Sequence, residues 1–220
     1  MSKLSVVFSA VAVAFVVAAI AFYIGAYLTN ATPAASAVQT PQGTHLYLAT
    51  VPAAALNDPH PTWVSYYAVS PTDTNWKHAA TYDLPANTEV TVTIFEFDTQ
   101  TGLRNNFIGA SEGTTGGTID VNGKSVSYID PDTASHIFAI PNIGLVVPLE
   151  GPTGNTGTLC SNAPCPLSND HVTTTFRFHT PAKKGLYRFQ CFVPCALGYI
   201  DGIGGPMQRV GYMDGYIKVV

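Results

Sequence analysis

From Thr44 to the C-terminus, the chain alternates short runs of β-forming residues with turn signals and shows no helical periodicity. The run Glu89-Val90-Thr91-Val92-Thr93-Ile94-Phe95 alternates polar and apolar side chains, as a strand with one buried face should. Asn122-Gly123 predicts a tight hairpin turn. This pattern predicts an all-β, antiparallel sandwich or barrel. The predicted strands are Thr62–Val69, Glu89–Phe97, Ser125–Ile129, His136–Ile140, Val172–His179, Gly185–Phe192 and Gly215–Val220.

The segment from Leu46 to Ala80 has β-type composition, but its place in the fold does not follow from the pattern. We expect it to add strands at an edge of the sandwich.

The N-terminal segment differs from the rest of the chain. Ser5 to Leu28 is a run of 24 residues without a charge, which is long enough to cross a bilayer as a helix. Lys3 precedes the run, and the next basic residue is Lys77. The positive-inside rule therefore predicts a single-pass protein of the cell membrane, with a cytoplasmic N-terminus and an extracytoplasmic C-terminal domain.

These features predict three parts: an anchor over residues 1–29, a stalk over residues 30–43 that is rich in Ala, Thr and Pro, and a folded domain over residues 44–220. A second interpretation is a signal peptide cleaved after Ala35-Ser36-Ala37. Both interpretations export the domain.

The charge pattern excludes some classes of function. Charged residues make up 11% of the chain and the formal net charge is -4, with no basic patch, so nucleic-acid binding is not expected. No nucleophile elbow and no phosphate-binding loop are present, and no acid–base partner is evident for Glu96 and Asp98. We therefore expect no catalytic residues in the chain, which would be at most a non-catalytic subunit in which any reaction belongs to a larger complex.

The four cysteines form two close pairs, and an exported domain permits disulfides. Cys160 and Cys165 lie in a loop of Gly, Asn and Pro, where a local disulfide is the natural interpretation. Cys191 and Cys195 form a Cys-x-x-x-Cys motif well after His136, and this order of ligands is typical of copper-binding β-sandwiches.

Two stretches resemble subunit II of haem–copper terminal oxidases. The first is Ser135-His136-Ile137-Phe138-Ala139-Ile140-Pro141-Asn142-Ile143-Gly144, which resembles the strand with the first copper ligand. The second runs from Phe176 to Met213 and contains Pro181-Ala182-Lys183-Lys184-Gly185-Leu186-Tyr187, the cysteine motif, a glycine-rich loop and Met207. The resemblance covers about residues 85–220 and implies a cupredoxin-like Greek-key sandwich.

In that family a dinuclear copper centre is held by two cysteines, two histidines, a methionine and a backbone carbonyl. The resemblance assigns His136, Cys191, Cys195 and the carbonyl of Val193 to this set. Tyr199 stands where the second histidine belongs. Met207 comes after a longer loop than usual, and Met213 is another candidate for the methionine.

Three states of the cysteine motif stay open because the second histidine is missing. In the first state, Cys191 and Cys195 form a disulfide or another metal-free pair. In the second, His136, a cysteine and Met207 bind a single copper ion. In the third, an altered dinuclear copper centre is present.

The resemblance implies a subunit II-like component of a respiratory oxidase. It would serve electron entry or, without copper, donor docking and structural support. Its partners would be a haem-bearing membrane subunit, an electron-donor protein or quinol, and lipid around the N-terminal helix. Two alternatives are a free-standing, membrane-tethered cupredoxin that carries electrons or binds copper, and a metal-free structural sandwich outside the cell.

Overall fold

The computed structural model describes residues 3–25, 34–36, 38–40, 43–53, 56, 60, 62–70, 75–154, 158–195 and 205–220. The described residues form one α-helix, α1 (Lys3–Tyr23), short 3₁₀ turns and fourteen strands. The 3₁₀ turns are Asn106–Gly109, Thr115–Gly117, Pro131–Thr133, Pro141–Ile143 and Gly205–Met207. The strands are β1 (Ala34–Ser36), β2 (Val38–Thr40), β3 (Gly43–Val51), β4 (Ser65–Ala68), β5 (Lys77–His78), β6 (Thr81–Leu84), β7 (Glu89–Glu96), β8 (Ile119–Val121), β9 (Lys124–Val126), β10 (Ala134–Ile140), β11 (Leu145–Glu150), β12 (Val172–His179), β13 (Gly185–Gln190) and β14 (Asp214–Val219).

The strands form two sheets packed face to face. One sheet has the order β1-β6-β14-β13-β10-β11, and the other has the order β5-β4-β3-β7-β12-β8-β9, with β2 paired to β3. The largest group of buried apolar side chains joins the two sheets, for example Val92 of β7 with Phe138 of β10 and Ile217 of β14. The protein is therefore a β-sandwich, and the barrel alternative is wrong because two separate sheets are present.

The strands predicted from alternation are all present, with ends that differ from the prediction by at most three residues. The predicted hairpin at Asn122-Gly123 joins β8 to β9, with φ of 50° and 83° at these two residues. Positive φ at both central positions is what a two-residue hairpin turn requires, which explains why Asn and Gly occupy them.

The expectation of a purely antiparallel sandwich is wrong. β3 runs parallel to β7, with Leu46 opposite Val92, and β6 runs parallel to both β14 and β1. The segment from Leu46 to Ala80 adds strands at an edge of this sheet, as expected: β5 is the outermost strand, β4 lies next to it, and β3 connects them to β7. Alternation reports which face of a strand is buried, but it carries no information about the direction of the neighbouring strand.

The predicted N-terminal helix is present as α1. No helix within the described residues is both long enough and apolar enough to cross a membrane. Two short strands lie in the segment predicted to be a stalk: β1 pairs with β6, and β2 pairs with β3. Their backbone pairing makes these residues part of the sheets.

Candidate metal centre

His136 enters the core on β10, a strand that is buried along its whole length. The imidazole is 2% exposed. The hydroxyl of the preceding residue, Ser135, donates to the carbonyls of Asp98 (2.7 Å) and Thr99 (2.6 Å), which ties the start of β10 to the segment that follows β7. This clamp holds His136 next to the end of β7, although the two strands belong to different sheets.

Cys191 and Cys195 follow the end of β13. The amide of Cys191 donates to the carbonyl of Met213 at 3.0 Å. Its sulfur accepts from the amide of Ile137 at 3.4 Å. These bonds fix Cys191 against the strand that carries His136, so the predicted ligands come together although the chain separates them widely.

The three side chains form one compact group. Their ligand atoms lie within 4.8 Å of one another. His136 Nδ1 is 3.2 Å from the sulfur of Cys195 and 3.8 Å from that of Cys191, and the two sulfurs are 3.3 Å apart. Because a disulfide requires about 2.0 Å between sulfurs, both cysteines are free thiols here. A disulfide between Cys191 and Cys195 is therefore not the state of this structure.

The carbonyl of Val193 also points at this group. The thiol of Cys195 donates to it at 2.7 Å, and the sulfur of Cys191 lies 3.7 Å from it. The predicted role of Val193 as a backbone ligand thus has matching geometry.

The methionines are placed less directly. Met207 and Met213 are buried in the same core group as Cys191, and the carbonyl of Met207 accepts from the side-chain amide of Gln190 at 3.0 Å. Tyr199, predicted to replace the second histidine, lies outside the described residues.

The two thiols differ in acidity although they are neighbours. Burial opposes ionisation of Cys191, but hydrogen bonds with Cys195 and His136 outweigh it and hold the pKa of the Cys191 thiol well below its usual range. Burial, together with the hydrogen bond and the negative charge of Cys191, raises the pKa of Cys195 well above its usual range. These opposite shifts favour Cys191 over Cys195 as the first of the two thiols to ionise.

Burial also works against the charge on His136, but nearby carboxyl groups and the Cys191 sulfur raise its pKa well above the usual value. In the metal-free centre these shifts favour an imidazolium beside a thiolate. A soft cation that replaces the shared protons would find two sulfurs and one nitrogen already facing a common point.

Asp98 is the residue whose role in this site the sequence does not reveal. Its Oδ2 lies 3.1 Å from Nε2 of His136, and its Oδ1 accepts from the amide of Thr99 at 2.8 Å. A proton held at Nε2 leaves Nδ1, the nitrogen that faces the sulfurs, as the one that can bind a metal. The sequence shows Asp98 two residues after Glu96, but it does not show that either approaches His136.

The second cysteine pair behaves as predicted. Cys160 and Cys165 form a disulfide, with Cα atoms 5.7 Å apart. The bridge packs against a smaller apolar group on the outer face of the second sheet, which includes Phe97, Tyr67 and Trp63.

No family model matches this chain, and no curated protein matches it. Solved structures that show some similarity include reduced rusticyanin, with 18% identity over 85% of this chain and 84% of that chain (TM-score 0.32). Rusticyanin from Thiobacillus ferrooxidans is 17% identical over 90% of this chain and 92% of that chain (TM-score 0.31).

The Cu-containing nitrite reductase (NirK) from Thermus scotoductus is 7% identical over 80% of this chain and 30% of that chain (TM-score 0.26). These identities and TM-scores are too low for any property of those proteins to be transferred to this chain.

Proposed function

We propose that this chain is a cupredoxin-like protein that binds one copper ion through His136 Nδ1, Cys191 and Cys195 and carries electrons with it. The observation that carries the proposal is the buried group of two unbridged sulfurs and one imidazole nitrogen within 4.8 Å of one another. Thiolate and imidazole donors are the set that copper prefers in proteins, and Met207 and Met213 in the same core group supply nearby thioether candidates.

The donor set fits copper better than a structural zinc ion. Structural zinc sites have four protein ligands from Cys, His and carboxylates. Among the described residues, the group contains three such side chains. The same count favours one copper ion over a dinuclear centre, because a dinuclear centre needs a terminal histidine for each metal and this group has one histidine.

Bound copper would supply one-electron redox chemistry, and the protein supplies the rest. Strand β10 and the turn after β13 hold the donor atoms in place through the Ser135 clamp and the amide of Ile137. His136 and Cys191 are buried, at 2% and 0% exposure, whereas Cys195 is partly exposed. A fixed set of ligands needs little rearrangement when an electron enters or leaves.

A subunit II-like role in a haem–copper oxidase is the more specific form of this proposal. It rests on the sequence resemblance and on the predicted export of the domain, and the disulfide Cys160–Cys165 supports an oxidising compartment. Co-purification with a haem-bearing membrane subunit tests it. The metal-free structural sandwich predicts a second disulfide, which is not formed between Cys191 and Cys195 in this structure.

The first test is the copper content of the purified full chain, together with its visible spectrum and a free-thiol count. We expect one equivalent of copper with thiolate charge-transfer absorption, and two reactive thiols in the unfolded metal-free chain. Two disulfides without copper, or zinc in place of copper, would contradict the proposal.

Removal of the Asp98 carboxylate is expected to weaken copper binding. In Asp98→Ala, nothing holds the proton at Nε2 of His136, and carboxylate partners of metal-bound histidines are worth about 10- to 100-fold in metal affinity. Competition with a Cu(I) chelator measures the change. Asp132→Ala removes a carboxylate that, within the described part of the chain, pairs with exposed Arg104, so it should leave the affinity unchanged.

Copper affinity is expected to rise with pH. Metal binding must displace the proton from Nδ1 of His136 and the proton of Cys195, and the structure raises the pKa of both groups. Each displaced proton makes the affinity increase about tenfold per pH unit while the group is protonated in the metal-free chain. Chelator competition between about pH 5 and about pH 8 checks this, and a pH-independent affinity would contradict it.

A further inference from the structure

Glu96 is an exception in an otherwise regular strand. Along β7, Val90, Val92 and Ile94 alternate with outward-facing residues and point into the core. Glu96 continues this series on the same face, and its side chain is 0% exposed. An apolar residue is expected at such a position, because a buried carboxyl group loses its hydration.

Only one of the two carboxyl oxygens of Glu96 has a hydrogen-bond partner among the described residues. Oε1 accepts from the amide of Asp98 at 2.9 Å. Oε2 is buried and has no hydrogen-bond partner among the described residues. A buried polar atom without a partner destabilises the folded state. Glu96 therefore costs stability without a visible benefit to packing.

The bond to Asp98 connects Glu96 with the metal centre. The backbone of Asp98 is held at two points. Its amide donates to Oε1 of Glu96, and its carbonyl accepts from the hydroxyl of Ser135. With its backbone fixed at both points, the Asp98 carboxylate reaches Nε2 of His136 at 3.1 Å. One chain of contacts thus runs from Glu96 through Asp98 to Nε2 of His136. The other nitrogen of the same ring, Nδ1, faces the sulfurs.

We propose that Glu96 is a positioning residue of the metal centre: through Asp98 it keeps the Nε2 proton of His136 in place and directs Nδ1 towards the metal. This inference rests on the proposed copper site and deepens it. Nothing in the contacts requires a negative charge on Glu96, since a neutral carboxyl oxygen accepts the Asp98 amide equally well.

The charge state of Glu96 agrees with this role. Burial raises the pKa of its carboxyl group well above the usual range. This direction favours the neutral form of the Glu96 carboxyl group, although the positive charge of His136 acts against it. A glutamine has the same shape, the same acceptor oxygen and no charge, so it should replace Glu96 in function. A methionine fills a similar volume but cannot accept the amide of Asp98.

The test compares Glu96→Gln and Glu96→Met with the wild type by three measurements on the full chain. These are the protection of the His136 Nε2 proton from solvent exchange by NMR in the metal-free protein, the Tm of that protein, and Cu(I) affinity by chelator competition. We expect Glu96→Met to keep or raise Tm, to lose the protected proton, and to lose about 10- to 100-fold in affinity. Glu96→Gln should match the wild type in all three.

Other results would overturn the inference. If Glu96→Met keeps both the protected proton and the affinity, Glu96 does not position His136. If it lowers Tm strongly, Glu96 is a structural residue of the core. If Glu96→Gln fails as Glu96→Met does, the charge of Glu96 and not its hydrogen bond is what acts.

One result separates the inference from the proposed function. If the wild type binds no copper but the Nε2 proton follows the expected pattern, the proposed function fails while the positioning role stands.

Discussion

Cys191→Ser is expected to abolish copper binding and the thiolate absorption band. Cys191 is fully buried, and hydrogen bonds that outweigh its burial lower the pKa of its thiol, which favours it over Cys195 as the thiolate of the pair. A serine hydroxyl stays protonated at this position and is a hard donor that copper binds poorly. Replacing a residue that only supports a ligand lowers metal affinity by up to about 100-fold. Because Cys191 is a ligand itself, Cys191→Ser should lower copper affinity by more than that.

The matched control for this variant is the double replacement Cys160→Ser with Cys165→Ser. It also removes two sulfurs, but these form a disulfide that packs against the outer face of the second sheet. Copper content and the visible spectrum should stay unchanged in the control. Equal copper in Cys191→Ser and the wild type, measured by elemental analysis, would show that Cys191 is not a ligand.

The second large effect is expected on stability, in Phe138→Ala. Phe138 is 0% exposed in the centre of the core, with its ring centroid 5.2 Å from that of Phe189, 5.8 Å from Tyr66 and 5.9 Å from Phe176. Removing a buried phenyl ring leaves a cavity between the two sheets, which costs about 3–5 kcal/mol in the free energy of unfolding. Urea denaturation of the metal-free protein measures the change.

Phe107→Ala is the matched control, because it removes the same ring from a side chain that is 52% exposed. Its free energy of unfolding should lie within about 0.5 kcal/mol of the wild type. If both variants lose the same free energy, Phe138 is not part of a tightly packed core, and the packing of the two sheets described here is wrong.

Much of the candidate site follows from the chain alone. His136 and the Cys191/Cys195 motif indicate a copper-type ligand set, and the structure brings these three side chains into one group. The local pair Cys160–Cys165 forms the predicted disulfide because its partners are close in sequence. The residues behind the ligands were not predictable. In the sequence, Asp98 and Glu96 look like ordinary acidic residues near the end of a strand. Their role appears only when folding brings the end of β7 next to β10.

The state of Cys191 and Cys195 also needed the structure. The sequence permits a disulfide, a single copper ion or two, because the spacing of a Cys-x-x-x-Cys motif is compatible with all three. The folded chain separates the sulfurs by 3.3 Å, with the imidazole of His136 close to both. The turn after β13 is held by contacts with Ile137 and Met213, which come from other parts of the chain.

The sequence by itself determined seven of the fourteen strands, the hairpin at Asn122-Gly123, the local disulfide and the residue types of the metal centre. These depend on alternation, turn geometry and chemistry within short stretches of chain. The tertiary structure alone decided that β3 lies inside its sheet and parallel to β7, and that Glu96 and Asp98 stand behind His136. Strand direction and contacts between distant segments arise from how the two sheets pack, and no local pattern encodes that packing.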